Sequence, residues 1–298
     1  MSGNHSHAAP DASVSRLGWT LGLVVLYMVA EVVGGLISGS LALLADAGHM
    51  VSDAGAIGLT LFAMRFARRS PSPIRTFGYY RAEILAALVN GATLLGIAAF
   101  ILIEAVGRLR SPTAVEGPLM LAVAGGGLLV NLAGLYLLRG GQDGGLNIRG
   151  AWLHVLTDAL GSAQAIAAAI LIWVFGWTWV DPAASILIAL LVVYSSWSLL
   201  RQSVAVLMEG APGHIDVDAV REALGAVRGV DEVHDLHVWT ITSGFVALSA
   251  HLVVSPSSDA EEVLKLSERC LVDRFGIRHS TVQLDIGRPC GQAHHHTH

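Results

Sequence analysis

Six apolar runs recur along the chain up to Leu200: Leu17 to Ile37, Leu41 to Phe66, Ile84 to Ile103, Leu119 to Leu138, Ala151 to Phe175 and Pro182 to Leu200. Each approaches the ~20 residues a helix needs to cross about 30 Å of hydrocarbon. The pattern therefore predicts an all-α six-helix transmembrane bundle. From Met208 onward the periodicity shortens. "GAPGHIDVDAVREALGAV" reads as an amphipathic helix with Asp216 at its N-cap. "EVHDLHVWTI" and "FVALSAHLVV" read as strands flanking "TSG". "SSDAEEVLKLSERCLVDRFG" opens with capping-box spacing from Ser258 to Glu261, and "HSTVQLDI" alternates as a last strand. The order αββαβ predicts a small open-faced α/β sandwich, metallochaperone-like and ferredoxin-like. Four segments result: a His-containing N-terminal tail (1–16), the six-span domain (17–207), the αββαβ domain (208–287) and a His-rich C-terminal tail (288–298).

Composition agrees with this division. The chain is 53% hydrophobic and 14% charged, with mean hydropathy +0.60, which places it among membrane proteins. From Met208 onward, 13 Asp and Glu face 7 Lys and Arg, so the extramembrane part is acidic. Nucleic acid is excluded as a partner, because phosphate binding needs clustered basic charge. Metal cations suit it better. The connection "RFARRSPSPIRTFGYYR" holds Arg65, Arg68, Arg69, Arg75 and Arg81. Basic short loops face the cytoplasm, so both termini are expected there, in a multi-pass plasma (inner) membrane protein. The first apolar segment is too long, and lacks a small-residue cleavage site, for a removed signal.

The second span carries "ALLADAGHMVSD". Its uncharged remainder, Ala54 to Met64, is too short to cross a bilayer, so Asp46, His49 and Asp53 must enter the membrane's depth. Unpaired ionisable groups there cost several kcal/mol each. On a helix His49 and Asp53 share a face, with Asp46 one turn along it. The fifth span repeats His-x-x-x-Asp at His154 and Asp158. A lone histidine on an apolar face is an ordinary core residue, but two copies of this pair in separate spans supply the N2O2 donor set of a tetrahedral zinc site. Asp46 is open between proton handling in a cavity and an interhelical hydrogen bond. Glu31, Glu104, Asn90, Asn131 and Gln164 either line a cavity or bond between helices.

Charge bookkeeping suggests a mechanism. Two aspartates balance a dication, whereas the empty, deprotonated site is strongly negative and attracts protons. Metal and proton need the same lone pairs, so each expels the other. With two access states, that is antiport. An intramembrane metalloenzyme is the weaker alternative: no His-Glu-x-x-His occurs, and four protein ligands leave no open position for water. A membrane metal sensor that moves no ions also stays open.

"LALLADAGHMVSD", "RTFGYYRAEILAA", "HVLTDALGS" and "HDLHVWTITSG" together resemble the cation diffusion facilitator family over nearly the whole chain. The resemblance implies a homodimer of six-helix protomers that exports zinc, and sometimes cobalt or cadmium, from the cytoplasm in exchange for protons, with no catalytic cofactor. Borderline N/O ligands admit nickel as well. It implies a transport site of His49, Asp53, His154 and Asp158. The two-histidine form is similar to zinc-selective members. His234, His251 and Asp285 match positions that carry metal in parts of the family. Two departures stand out. The loop between spans two and three offers arginines, serines, prolines and tyrosines in place of metal ligands, and Gln283 stands where some members have histidine.

By strand periodicity His279, Thr281, Gln283 and Asp285 share one face. The three-residue spacing from His234 to His237 puts His237 on the opposite face. Cys270 and Cys290 fall in the cytoplasmic part, where thiols stay reduced; Cys290, beside the His-rich tail, is open between thiol and metal ligand. His5, His7 and the run His294 to His298 read as metal-capturing tails or, for the C-terminal run, an appended tag.

Overall fold

The structure is a computed structural model; it describes residues 10–66, 73–137 and 145–287. The side chains of residues 10–20, 53, 56–57, 60–66, 137, 145–151 and 153–154 lie outside that description. Internal packing divides the chain into two units. Met1–Arg68 and Ala86–Leu200 form one, and Arg69–Leu85 and Arg201–His298 the other.

The first unit is helical, with the start of α3 and the end of α6 assigned to the second: α1 (Pro10–Ser38), α2 (Leu41–Phe66), α3 (Tyr80–Arg110), α4 (Gly117–Leu137), α5 (Gly145–Phe175) and α6 (Val180–Leu207). Five of these contain stretches long and apolar enough to cross a membrane, and α2 adds the shorter apolar stretch Leu41–Ser52. Helix continues past the apolar runs, to Arg110 on α3 and back to Gly145 on α5, because backbone hydrogen bonding does not stop where hydrocarbon does.

The helix interfaces are built from small residues. Leu41 and Ala45 of α2 pack with Leu94 and Ala98 of α3 and Ala189 of α6. On its other side, Ala42 and Leu43 pack with Met120 and Ala124 of α4 and Ala165, Ala168 and Ala169 of α5. Alanine lets backbones approach closely where lipid supplies no hydrophobic drive between helices. The bulky apolar side chains point outward instead, including Leu26, Phe100, Ile103, Tyr194 and Trp197. This inside-out distribution suits a hydrocarbon solvent.

A buried polar joint fixes the start of α2. Gly39, in the left-handed region at φ 72°, turns the chain out of α1. The first amides of α2 have no intrahelical acceptors, and Asp181 of α6 supplies them. Its Oδ2 accepts from the Leu41 amide at 2.8 Å, and its Oδ1 accepts from the Ala42 amide at 3.2 Å and the Ser40 hydroxyl at 2.6 Å. Arg108 of α3 lies 3.9 Å from Asp181 Oδ2 and donates to the Gly39 carbonyl and to Glu104 Oε1. A carboxylate at a helix N-terminus also meets the positive end of the helix dipole. Since Asp181 is fully buried, the joint sets where α2 begins, and hence the depth of every residue after it.

The second unit contains α7 (Val217–Gly225), β1 (Val230–Thr242), β2 (Phe245–Val254), α8 (Ala260–Phe275) and β3 (His279–Ile286). The sheet order is β1-β2-β3, with β1 antiparallel and β3 parallel to β2. Ser243 and Gly244, the latter at φ 73°, make the two-residue hairpin turn. The helices cover one sheet face around a core of Val220, Leu224, Leu236, Val238, Leu248, Leu252, Val263 and Leu271. Asp216 caps α7, accepting from the Asp218 and Ala219 amides, as its sequence suggests. The capping-box expectation at Ser258 is corrected: Asp259 caps α8, accepting from the Glu261 and Glu262 amides, while Ser258 Oγ faces the Gly229 carbonyl. A carboxylate one residue later reaches the second and third helical amides, which is what an N-cap requires.

Asp181→Ala removes three hydrogen bonds and leaves Arg108 facing a buried void. Loss of one buried charged partner typically costs ~3–5 kcal/mol. The expected outcome is a clearly lowered melting temperature of the detergent-solubilised chain, which Asp181→Asn restores only in part. In the second unit Leu252→Ala deletes a fully buried side chain. It should cost ~2–5 kcal/mol, read as a lower unfolding midpoint of that unit in denaturant.

Candidate metal centres

α2 and α5 run antiparallel through the first of two candidate centres. A methyl group at Gly161 of α5 would sit 3.5 Å from Asp46 Oδ1 of α2. One turn further along α2, His49 Nε2 lies 3.8 Å from Asp158 Oδ1 of α5. Both side chains are partly buried, at 33% and 25% exposure. Asp53 and His154 fall on the same two helices, but their side chains lie outside the described residues. Asp46 is buried against α5. Fully buried Glu31 of α1 joins it, with Tyr27, Asp46 and Asp158 the groups acting on it electrostatically. Among the described residues, neither Glu31 carboxylate oxygen makes a hydrogen bond of normal geometry. Acids gathered in a low-dielectric setting need counter-charge or protons to be tolerated.

The other polar residues within the helices mostly tie neighbours together. Asn131 of α4 donates to Ser162 Oγ of α5 at 3.4 Å, and Gln164 of α5 donates to the Ala184 carbonyl of α6 at 3.2 Å. Glu104 accepts from Arg108 one turn along α3. Asn90 of α3 packs against Gly55 of α2, where an added methyl would come within 2.7 Å of its amide oxygen.

The second centre lies on the sheet face opposite the helices. His234 pairs with His251 across β1 and β2, and His251 with Gln283 across β2 and β3. Asp285, two residues on, shares that face. One ligand atom from each of His234, His251 and Asp285 lies within 4.8 Å of the others. His234 Nε2 is 3.0 Å and His251 Nδ1 3.5 Å from Asp285 Oδ2, and the carboxylate is only 3% exposed. Gln283 takes a supporting part, donating from Nε2 to Asp285 Oδ1 at 3.0 Å. Two imidazoles and a carboxylate are a donor set that zinc accepts.

The expectation for His237 is corrected here. The register slips between His234 and His237, which pairs with Ser249, so β1 holds one extra residue at that point. Asp235 takes up the slack in the left-handed region at φ 50°. Strand parity therefore resets: Val233, Leu236 and Val238 pack toward the core while His234 and His237 share the open face. Asp235 is the neighbour of these side chains that sequence reading misses, because period-two counting assumes an unbroken ladder. Cys270 is half-buried on α8, its thiol facing the Ala223 carbonyl at 3.9 Å. Cys290, His5, His7 and His294 to His298 lie outside the described residues.

Residues 20–208 match the cation efflux transmembrane domain and residues 212–286 the cytoplasmic domain of cation efflux proteins. The chain belongs to the cation efflux family. This cation efflux protein, like its family, is a transporter of metal cations and not an enzyme, and its helices place it in a membrane. It is 44% identical over 294 residues to the metal cation efflux system protein CzcD of Cupriavidus metallidurans, covering 98% of this chain and 93% of the relative. It is 43% identical over 279 residues to the cadmium, cobalt and zinc/H(+)-K(+) antiporter of Bacillus subtilis, covering 92% and 88%. To zinc transporter ZitB of Escherichia coli it is 42% identical over 305 residues, covering 98% and 97%. Among solved structures, the metal-bound C-terminal domain of the CzcD transporter from Cupriavidus metallidurans matches 24% of this chain and 99% of its own length, at 38% identity and a TM-score of 0.23.

Proposed function

We propose that this protein exports Zn²⁺ from the cytoplasm in exchange for protons, by alternating access around a tetrahedral site of His49, Asp53, His154 and Asp158. The observation that carries the reading is the approach of His49 Nε2 to Asp158 Oδ1 at 3.8 Å across antiparallel α2 and α5. Continuing the same register by one turn pairs position 53 with position 154, so the two His-x-x-x-Asp motifs complete one another. The relatives' names, a zinc transporter and a cadmium, cobalt and zinc/H(+)-K(+) antiporter, support both the cargo and the exchange. Co²⁺, Cd²⁺ and Ni²⁺ remain within reach of this borderline donor set.

The chemistry follows from charge. With the dication bound, two carboxylates and two neutral imidazoles sum to zero and the site tolerates burial. When the ion leaves toward the far side, protons take its place on the same lone pairs. Asp46 and Glu31, one helix turn and one helix away, keep further acid beside the site and serve the proton side of the cycle. The basic loop between α2 and α3 sets both termini in the cytoplasm, in the plasma (inner) membrane, and the family resemblance supports a homodimer. His234, His251 and Asp285 hold a zinc ion on the second unit, a reading supported by ligand atoms that lie within 4.8 Å of one another.

In liposomes carrying a zinc dye and a pH dye, the parent chain should move both signals in opposite senses. His49→Ala and Asp158→Ala should each lower zinc flux at least ~100-fold, the scale of losing a ligand or its support. Near-normal flux in either variant refutes the site, and zinc binding with no flux in the parent favours a sensor. For the cytoplasmic centre, Asp285→Ala should weaken zinc binding there by at least ~10-fold, measured by chelator competition in chains that lack the transport-site aspartates.

A further inference from the structure

His251 stands between two histidine-carboxylate pairs. On its inner side, Nδ1 faces Asp285 Oδ2 at 3.5 Å, which His234 Nε2 meets at 3.0 Å. On its outer side, Nε2 faces Asp235 Oδ2 at 3.8 Å, and the other oxygen of that carboxylate, Oδ1, meets His237 Nε2 at 3.0 Å. The two pairs differ in burial. Asp285 is 3% exposed, whereas Asp235 and His237 are 60% and 66% exposed. The outer pair alone offers too few donors for a closed metal site. Its orientation toward His251 gives it another use.

We infer that Asp235 is a positioning residue that sets the tautomer of His251 for metal binding, an inference that rests on the proposed centre at His234, His251 and Asp285. A neutral imidazole carries one N–H and one lone pair. If the proton sits on Nδ1, the lone pair points away from His234 and Asp285 and the centre loses a donor. With Asp235 drawing the proton to Nε2, the Nδ1 lone pair faces the other two ligands. Metal-bound histidines commonly donate their second ring N–H to a carboxylate in this way, and loss of that partner typically weakens metal binding ~10–100-fold.

The extra residue in β1 is what makes the arrangement possible. In an unbroken strand, the residue after His234 points to the opposite face, toward the helices. The bulge instead turns Asp235 out in the left-handed region and returns His237 to the open face, so the carboxylate stands between two imidazoles, 3.0 Å from His237 Nε2 and 3.8 Å from His251 Nε2. Asp and Asn tolerate that backbone conformation better than most residues, which keeps the geometry affordable for an acid. His237 then fixes the carboxylate from the solvent side.

The test is zinc affinity of the full chain in detergent, by competition with a chromophoric chelator. Asp53→Ala and Asp158→Ala, with alanine in place of His5, His7, His294, His295, His296 and His298, silence other donors. Asp235→Gly keeps the left-handed backbone and removes the carboxylate; it should weaken zinc binding ~10–100-fold with an unchanged melting temperature. Asp235→Asn keeps an acceptor for Nε2–H and should stay within ~3-fold of the parent. His237→Ala should give a smaller loss than Asp235→Gly. Parent-like affinity in Asp235→Gly, while His234→Ala abolishes binding, overturns the inference and spares the centre. Equal loss in the Gly and Asn variants overturns the tautomer mechanism. If His234→Ala also binds like the parent, the centre itself falls, and the role of Asp235 with it.

Discussion

An ionisable side chain in hydrocarbon must find a counter-charge or lose its own, and this constraint orders the membrane unit. α2 carries Asp46 and His49 where an ordinary span would carry leucine. They are tolerable because α5 comes close enough to set Asp158 beside His49, and that approach depends on alanine at the interfaces. Bulkier residues would hold the helices apart and leave each charge to the lipid. Polar chemistry and small-residue packing are thus one feature described at two scales.

The same constraint explains the joint at the other end of α2. Its free amides would face a low-dielectric interior, and a fully buried aspartate from α6 satisfies them. An aspartate isolated there would be costly; with three donors and Arg108 nearby it becomes the anchor for the helix that bears Asp46 and His49. Any slip of α2 along its axis would move His49 relative to Asp158.

The cytoplasmic unit solves a similar ligand problem under different physics. The Asp285 carboxylate is 3% exposed while Asp235 and His237 are open to water, so the orientation of each donor becomes the harder requirement. Strand register brings His234, His251 and Asp285 together. A hydrogen bond from Gln283 steadies the Asp285 carboxylate. The bulge at Asp235 adds a second carboxylate that no regular strand would present to the same face.

Much of this was legible in the chain itself. Apolar run length determined the six helices, and alternation with turn residues determined the αββαβ order, because both depend on local periodicity. The repeated His-x-x-x-Asp spacing marked α2 and α5 as partners, since ionisable pairs in such runs have few other uses. Tertiary structure alone decided the rest. Asp181 gave no local signal, because its partners are amides some 140 positions away in sequence. Ser258 carried the capping-box spacing, yet the carboxylate of Asp259 had the better reach to the free amides. His237 changed faces because a single inserted residue in β1 shifts the parity of everything after it. Patterns that repeat within one element are written in sequence; which atom meets which across elements depends on register and packing, and those are fixed only when the chain closes on itself.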